Sequence, residues 1–451
     1  MRTNTKNSSR TQQKVESIVQ NQNILKFYDI LNSPELLDVM NDSITPFRMR
    51  IYDPIKTLSM FVSQSLSYGS SCRTVVNESC VAGLFENKNI CSGTGAYCQA
   101  RKKLPLDLLV NATRCIANLV EEQADSIWKW MNRSVYLADG TTVSMPDTKE
   151  NQEKFPQHGS QKDGAGFPLC RIVVLTSLAT GVLLNAAIAP YKGKGTGEST
   201  LLRSITPSLN AGDVLLGDAI FPSYFQLSTL KAQGVDGLFE KMGSMKVDFK
   251  KGKRLGLNDV LQTLSKPQRP KWMSVEEYRS YPDTLQVRFV KSKKKVLVTT
   301  MTNHKAVSKK ALCELYVKRW NIELDLRDIK STLGMDRLTC LTPDMIEKEI
   351  WSYFLGYNLI RLMMAQAASQ SKVSPRNLSF KHALQLYLIW LTQVKTVPSL
   401  EELHRLFAIM AQQRVGKRPN RVEPRKVKRR PKPFARLRGS REEERKSLAL
   451  N

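Results

Sequence analysis

Tyr316, Arg319, Glu323 and Lys330 stand at spacings of three, four and seven in the segment YVKRWNIELDLRDIK. On a helix turning about 100° per residue, the last three fall about 60°, 20° and 40° to one side of Tyr316, so all four share a narrow stripe. Leu315, Ile322, Leu326, Ile329 and Leu333 make a neighbouring apolar stripe that would face a core. Asp325 and Asp328 point well away from both stripes and are expected in solvent. A Tyr-Arg-Glu-Lys edge between a core face and a solvent face is one that borders a cleft. It is also what an i,i+4 Arg319–Glu323 surface salt bridge would leave, and helix geometry alone does not separate the two.

Two aspartates invite the same question. Asp139 closes the apolar run SVYLAD and Asp218 closes DVLLGD. Both would lie at the carboxyl ends of sheet strands, where α/β sheets place their sites. Taken singly, Asp139-Gly140 reads equally as a hairpin turn and Asp218 as a helix cap. Taken with Glu323, they make three carboxylates, the set that two-metal phosphoryl transfer needs to hold two ions about 3.5–4 Å apart. Oxygen ligands of this kind select magnesium, with manganese able to substitute.

The elements that must position these residues read as a mixed α/β protein. Residues 1–23 are polar and expected to be disordered. Residues 24–132 are mostly helical in pattern, with apolar residues recurring at Leu109, Ala112, Ile116, Leu119 and Ile127. Strands CRIVVLTSLAT and GVLLNAAIAPY meet at a turn near Thr180-Gly181. Helical ESTLLRSITPSL, strand DVLLGD and a helix over 222–232 follow. Residues 240–308 break that rhythm with short, basic β-type runs and read as a β-rich insertion. Helices return from Ser308, one opened by Thr342-Pro343 and another by a capping box at Ser399–Glu402. The core so defined spans 133–239 and 309–372, C-terminal helices 373–413, and a tail 414–451. GKGTGES, Gly193–Ser199, lacks the Gly-Lys-Ser/Thr ending of a phosphate loop and is expected to be a turn and helix start, with no nucleotide cofactor.

Composition narrows the partners. The chain carries 69 Lys+Arg against 41 Asp+Glu, a net charge of +28. A polyanion relieves such an excess, and nucleic acid is the usual one. The stretch Arg414–Arg438 holds twelve Lys/Arg and one Glu, so +28 less +11 leaves +17 on the rest of the chain. No apolar run approaches the roughly 20 residues that span a bilayer, so no membrane partner is expected. The N-terminal stretch lacks the apolar segment of a secretory signal, which suits the cytoplasm. Eight cysteines include no Cys-x-x-Cys pair, so mostly buried, reduced thiols are expected rather than zinc.

The pattern Tyr-x2-Arg-x3-Glu-x6-Lys resembles the signature of the insertion-sequence-four family of bacterial DDE transposases. In this composition it would arise by chance in roughly one chain in a few hundred. LADGTTVSMPDT, GAYCQARKKLPLDLL, PYKGKGTGESTLLR, LLGDAIFPSYF, YNLIRLMMAQAA and RVEPRKVKRRPKPF are similar to that family too, so the resemblance covers about residues 30–435. It implies a ribonuclease H-like core interrupted by the β-rich insertion. It implies Asp139, Asp218 and Glu323 as catalytic ligands of two magnesium ions. Tyr316, Arg319 and Lys330, with Arg425, Lys428, Arg429 and Arg430 of the tail, would contact double-stranded DNA. The 24–132 helices would recognise the terminal inverted repeats, the core would excise the element and join it to target DNA, and two copies would assemble on the DNA. The protein would be nucleoid-associated when DNA-bound. Some relatives carry a Trp, which stacks on a flipped base during hairpin formation, where this chain has Lys295-Val296. Trp272 is the nearest Trp of the insertion, so the hairpin route has no assigned stacking residue. A nuclease that cuts without joining, and a DNA-binding derivative without activity, are the other readings.

Overall fold

The computed structural model describes residues 38, 51–67, 69, 71–85, 87–293, 295–393, 399–416, 437 and 439–449. Residues 1–23 and the tail positions Arg425, Lys428, Arg429 and Arg430 lie outside them. The helices α1 Pro54–Leu66, α2 Cys72–Phe85, α3 Gly95–Lys103 and α4 Leu106–Glu122 come first. Asp53 caps α1, its carboxylate accepting from the amides of Ile55 and Lys56. The apolar residues of α4 recur at the expected spacing and are buried at Leu109, Ala112 and Ile116. Ile127 departs from that expectation. The helix ends at Glu122, and Ile127 sits exposed in a 3-10 turn.

Five strands build the core sheet: β1 Val135–Ser144, β2 Leu169–Ser177, β3 Leu183–Pro190, β4 Val214–Gly217 and β5 Asp236–Glu240. They lie in the order β3-β2-β1-β4-β5. β1, β2 and β3 pair antiparallel, and β1, β4 and β5 pair parallel. Chain connectivity accounts for the switch. Helix α5 Lys149–Lys154 lies in the loop from β1 to β2, and a tight turn joins β2 to β3. Parallel neighbours need a crossover, and the chain supplies helices there: α6 Glu198–Ile205 before β4 and α7 Tyr224–Ala232 after it. This is the ribonuclease H-like arrangement. The run VVL in β2 is buried on both faces, as a central strand is. The turn between β2 and β3 needs a glycine twice over. Gly181 has φ +85°, and a Cβ there would stand 2.9 Å from the Arg361 guanidinium.

The basic, β-type runs do form strands: β6 Lys253–Gly256, β7 Asp259–Ser265, β8 Thr284–Lys291 and β9 Val296–Thr299, with the short helix α8 Val275–Ser280 between β7 and β8. They extend the core sheet. β9 pairs antiparallel with β5, and the order continues β9-β8-β7-β6 into one nine-stranded sheet.

The chain then turns helical through α9 Lys309–Val317, α10 Asn321–Arg327, α11 Pro343–Gln370, α12 Phe380–Gln393, α13 Leu400–Gln412 and α14 Arg441–Ala449. Thr342-Pro343 opens α11 and the Ser399/Glu402 capping box opens α13, as their residues predict. α11 is buried nearly all round because α1, α4, α12 and α13 pack about it. Asn358 ties it to the sheet, its side chain exchanging hydrogen bonds with the Leu183 backbone at 2.7 and 2.8 Å and donating to Thr113 O at 3.0 Å. The eight cysteines are all free, but only Cys170 and Cys340 are buried. The expectation of mostly buried thiols fails because five others sit part-exposed and Cys91 is exposed. No helix among the described residues is long and apolar enough to cross a membrane.

Candidate active site

Strand register carries the two aspartates together. β1 and β4 run parallel with Val135 beside Val214 and Leu137 beside Leu216. Two residues further on, Asp139 comes level with Asp218. β4 stops at Gly217 while β1 runs on to Ser144, paired along its other edge with β2. Asp139 is therefore mid-strand, and Asp-Gly makes no hairpin here. Asp218 closes a local turn by accepting from the Ile220 amide at 3.0 Å, while Ser223 caps the helix that follows. Burial pushes the Asp139 carboxyl up to about 6. The charges of Asp218 and Glu198 add to the rise, and the Gly140 amide and Arg319 oppose it.

The Tyr316–Lys330 segment crosses this edge of the sheet, but not as one uniform helix. α9 tightens into a 3-10 turn over Lys318–Trp320, α10 follows, and a π turn covers Asp328–Thr332. Leu315, Ile322, Leu326, Ile329 and Leu333 are buried, as their stripe predicts. The Tyr316 hydroxyl lies 3.5 Å from Glu240 at the end of β5. Arg319 stands 3.8 Å from Asp139 Oδ2 and 3.2 Å from Glu323 Oε1. Lys330 donates to Thr141 Oγ1 at 3.0 Å and Thr142 O at 2.9 Å, on β1 just past Asp139. The four residues thus span the strands from β5 to β1. The i,i+4 Arg319–Glu323 pair exists, but Arg319 is largely buried and shared with Asp139.

Asp325 and Asp328 are not in solvent. Asp325 is fully buried and Asp328 nearly so. Arg361 of α11 donates to Asp325 Oδ1 at 2.9 Å and stands 3.5 Å from Asp328. Arg376 forks onto both Asp325 oxygens at 2.5 and 3.0 Å, and Thr176 of β2 adds a bond at 2.9 Å. Arg376 also donates to the carbonyls of Ser177 and Leu178. Buried carboxylates survive when paired and bonded in this way. The network clamps the segment carrying Glu323 to β2 and α11.

Other residues at the site carried no expectation of a role. Glu198 opens α6, so the helix start foreseen in GKGTGES is present. Its carboxylate also fills the space over Gly140, where a Cβ would lie 2.5 Å from it. Glu240 and Lys295 meet beside Tyr316. No local pattern marks these residues, since each meets its neighbour only through the sheet. Trp272 lies against Phe225 and under Arg203, 4.0 Å from its guanidinium.

Among the described residues no three acidic, histidine or cysteine side chains stand close enough, as they are, to hold a metal ion. The donor set nonetheless suits a hard cation. Asp139 and Asp218 face one another's charge, and the Arg319 guanidinium already bridges Asp139 to Glu323. Carboxylates held this way need a positive charge between them, and oxygen donors favour magnesium or manganese.

A family model described as Transposase DDE domain matches residues 130–359. The chain is 29% identical over 318 residues to the transposase InsG for insertion sequence element IS4 of Escherichia coli K12, covering 67% of this chain and 69% of that one. It is 30% identical over 106 residues to the putative transposase InsZ of the same organism, 23% of this chain and 34% of that one. A piggyBac transposase synaptic complex with hairpin DNA, solved by cryo-EM, superposes with a TM-score of 0.42 at 9% identity over 90% of this chain and 84% of that one, too loosely to build on.

Proposed function

This chain belongs to the family of transposase DDE domains, and from that premise we propose that it excises an insertion sequence and joins it to target DNA through Asp139, Asp218 and Glu323. The observation that supports these three is the β1–β4 register that brings Asp139 level with Asp218, with Arg319 linking Asp139 to Glu323 across the gap. The carboxylates would hold two magnesium ions, with manganese able to substitute. When bound, the metal supplies an activated water or 3′-hydroxyl and charge to the departing oxygen.

The chain's own residues bind and orient the DNA. Arg319 presents a planar fork that suits bidentate phosphate contact, once released from the carboxylates it now bridges. Lys330 offers a point charge, and the Tyr316 hydroxyl a neutral donor. Water attacks the phosphodiester at the element's end and frees a 3′-hydroxyl, which then attacks the target phosphate. A hairpin would arise if that hydroxyl attacks the opposite strand first. The helices of 24–132 would read the terminal inverted repeats, and the 240–308 strands and the basic tail, including Arg425, Lys428, Arg429 and Arg430, would hold the backbone. Two ends must meet, so a homodimer on the DNA is expected, in a bacterial cytoplasm and without a nucleotide.

The test is cleavage of a plasmid carrying the element's own ends, with magnesium or with EDTA, by wild type and by Glu323→Gln. Wild type should release the element only with magnesium. Glu323→Gln should bind the ends but cut at least on the order of 10²–10³-fold more slowly, the scale of losing one preorganised charge. Cutting by both proteins would remove Glu323 from the chemistry. Cutting without joined products would favour a nuclease, and binding without cutting by wild type an inactive derivative.

A further inference from the structure

Glu240 is the last residue of β5, and the pairing of Gly217 with Phe239 brings it level with Asp218. Two donors from different elements converge on one of its oxygens. Lys295 Nζ, just before β9, lies 2.5 Å from Glu240 Oε2, and the Tyr316 hydroxyl of α9 lies 3.5 Å from the same atom. The Lys295 ammonium also lies 5.8 Å from the centre of the Tyr316 ring. An ammonium and a phenol aimed at a single anionic oxygen are the donors a phosphate oxygen would take. Lys295 and Glu240 keep 48% and 30% of their side-chain surface, so an anion from solvent can reach them. A part-exposed ion pair of this kind is weak and open to exchange. Tyr316 remains a donor at neutral pH, since burial and the charges of Glu240 and Asp218 suppress its ionisation.

We infer that Lys295 and Tyr316 form a phosphate subsite beside Asp218, filled by the Glu240 carboxylate in the absence of DNA and taken over by a backbone phosphate when DNA binds. The inference rests on the transposase reading. Glu240 is then an internal competitor: it occupies the donors before binding and repels the phosphate afterwards.

Fluorescence anisotropy in EDTA, with the full chain, tests this on two duplexes, one carrying the element's own end and one unrelated. Glu240→Gln should bind up to about 5-fold tighter than wild type, the size of one weak surface charge contact. Lys295→Met should bind more weakly, with a salt slope about one unit shallower. The double variant should lose the gain seen in Glu240→Gln. Gains confined to the element-end duplex identify an element phosphate, and equal gains on both identify a contact with any duplex, target included. Unchanged binding and slope for Lys295→Met, whose side chain is too exposed for the change to unfold the protein, would overturn the subsite even if Glu240→Gln misfolds. Wild type that binds both duplexes alike and, in a parallel incubation with magnesium, never cleaves them would remove the transposase reading. Wild type that cleaves with magnesium, with neither variant shifting affinity in EDTA, would remove only the subsite.

Discussion

Asp139 shows at a single residue what gathering carboxylates costs. Without metal, its carboxyl keeps a proton up to about 6, because the charged form is buried and faces Asp218. An unfolded Asp releases its proton near the ordinary value of about 3.9. Between those two values the native state holds the extra proton. The stability this brings is fully present below about pH 4 and is lost as pH rises through about 6. Asp139→Asn has no charge to bury. In EDTA at pH 7.5 its thermal midpoint should exceed that of wild type, reflecting on the order of 1–3 kcal/mol. At pH 4 the two midpoints should agree. A variant melting at or below wild type at pH 7.5 would mean that Arg319 and Gly140 already neutralise the cost.

At the scale of elements, an ion pair within one helix and an ion cluster between elements behave oppositely. Glu401 and Arg405 are paired at i,i+4 on α13, both largely exposed, and removing one should change stability by less than about 1 kcal/mol. Asp325, on α10, is the only carboxylate within hydrogen-bond reach of both Arg361 and Arg376 among the described residues. Asp325→Ala would leave Arg376 without a carboxylate and Arg361 with Asp328 alone at 3.5 Å, and should cost about 3–5 kcal/mol in urea unfolding. Glu401→Ala is the matched control. A loss under 1 kcal/mol for Asp325→Ala would mean that Asp328, the Tyr357 hydroxyl that accepts from Arg361 at 2.8 Å, and the Ser177 and Leu178 carbonyls hold the arginines without it. A 3-10 turn and a π turn flank α10, and between them Asp325 faces α11 while Glu323 still faces the sheet edge.

For the whole molecule, charge sets the response to salt. The net charge is +28, and Arg414–Arg438 contributes +11 of it. If Lys428, Arg429 and Arg430 each neutralise a phosphate, changing all three to Gln should flatten the plot of log affinity against log salt by up to about 3, at roughly 0.9 per phosphate. Discrimination between the element's end and unrelated DNA should stay the same, since phosphate contacts carry no base information. A loss of discrimination with an unchanged slope would move those residues from the backbone to the bases.

Much of this protein could be read locally. Ser399–Glu402 opens a helix because its capping box is satisfied within a turn, and Thr342-Pro343 opens one because proline suits the first helical position. Thr180-Gly181 turns because glycine accepts a positive φ. The spacing of Tyr316, Arg319, Glu323 and Lys330 follows from helix rotation, which tolerates short irregularities, so the four still line the sheet edge. Burial of charge was not readable in this way. Asp325 and Asp328 carry the marks of a solvent face, and only the arrival of Arg361 and Arg376, 36 and 51 residues from Asp325, makes their burial tolerable. The β1–β4 register that levels Asp139 with Asp218, the approach of Glu198 to Gly140 and the meeting of Glu240 with Lys295 are likewise decisions of the tertiary structure. Spacing along a chain governs what a residue can do within its own element. Which charge stands beside which depends on how separate elements pair, and no residue encodes that alone.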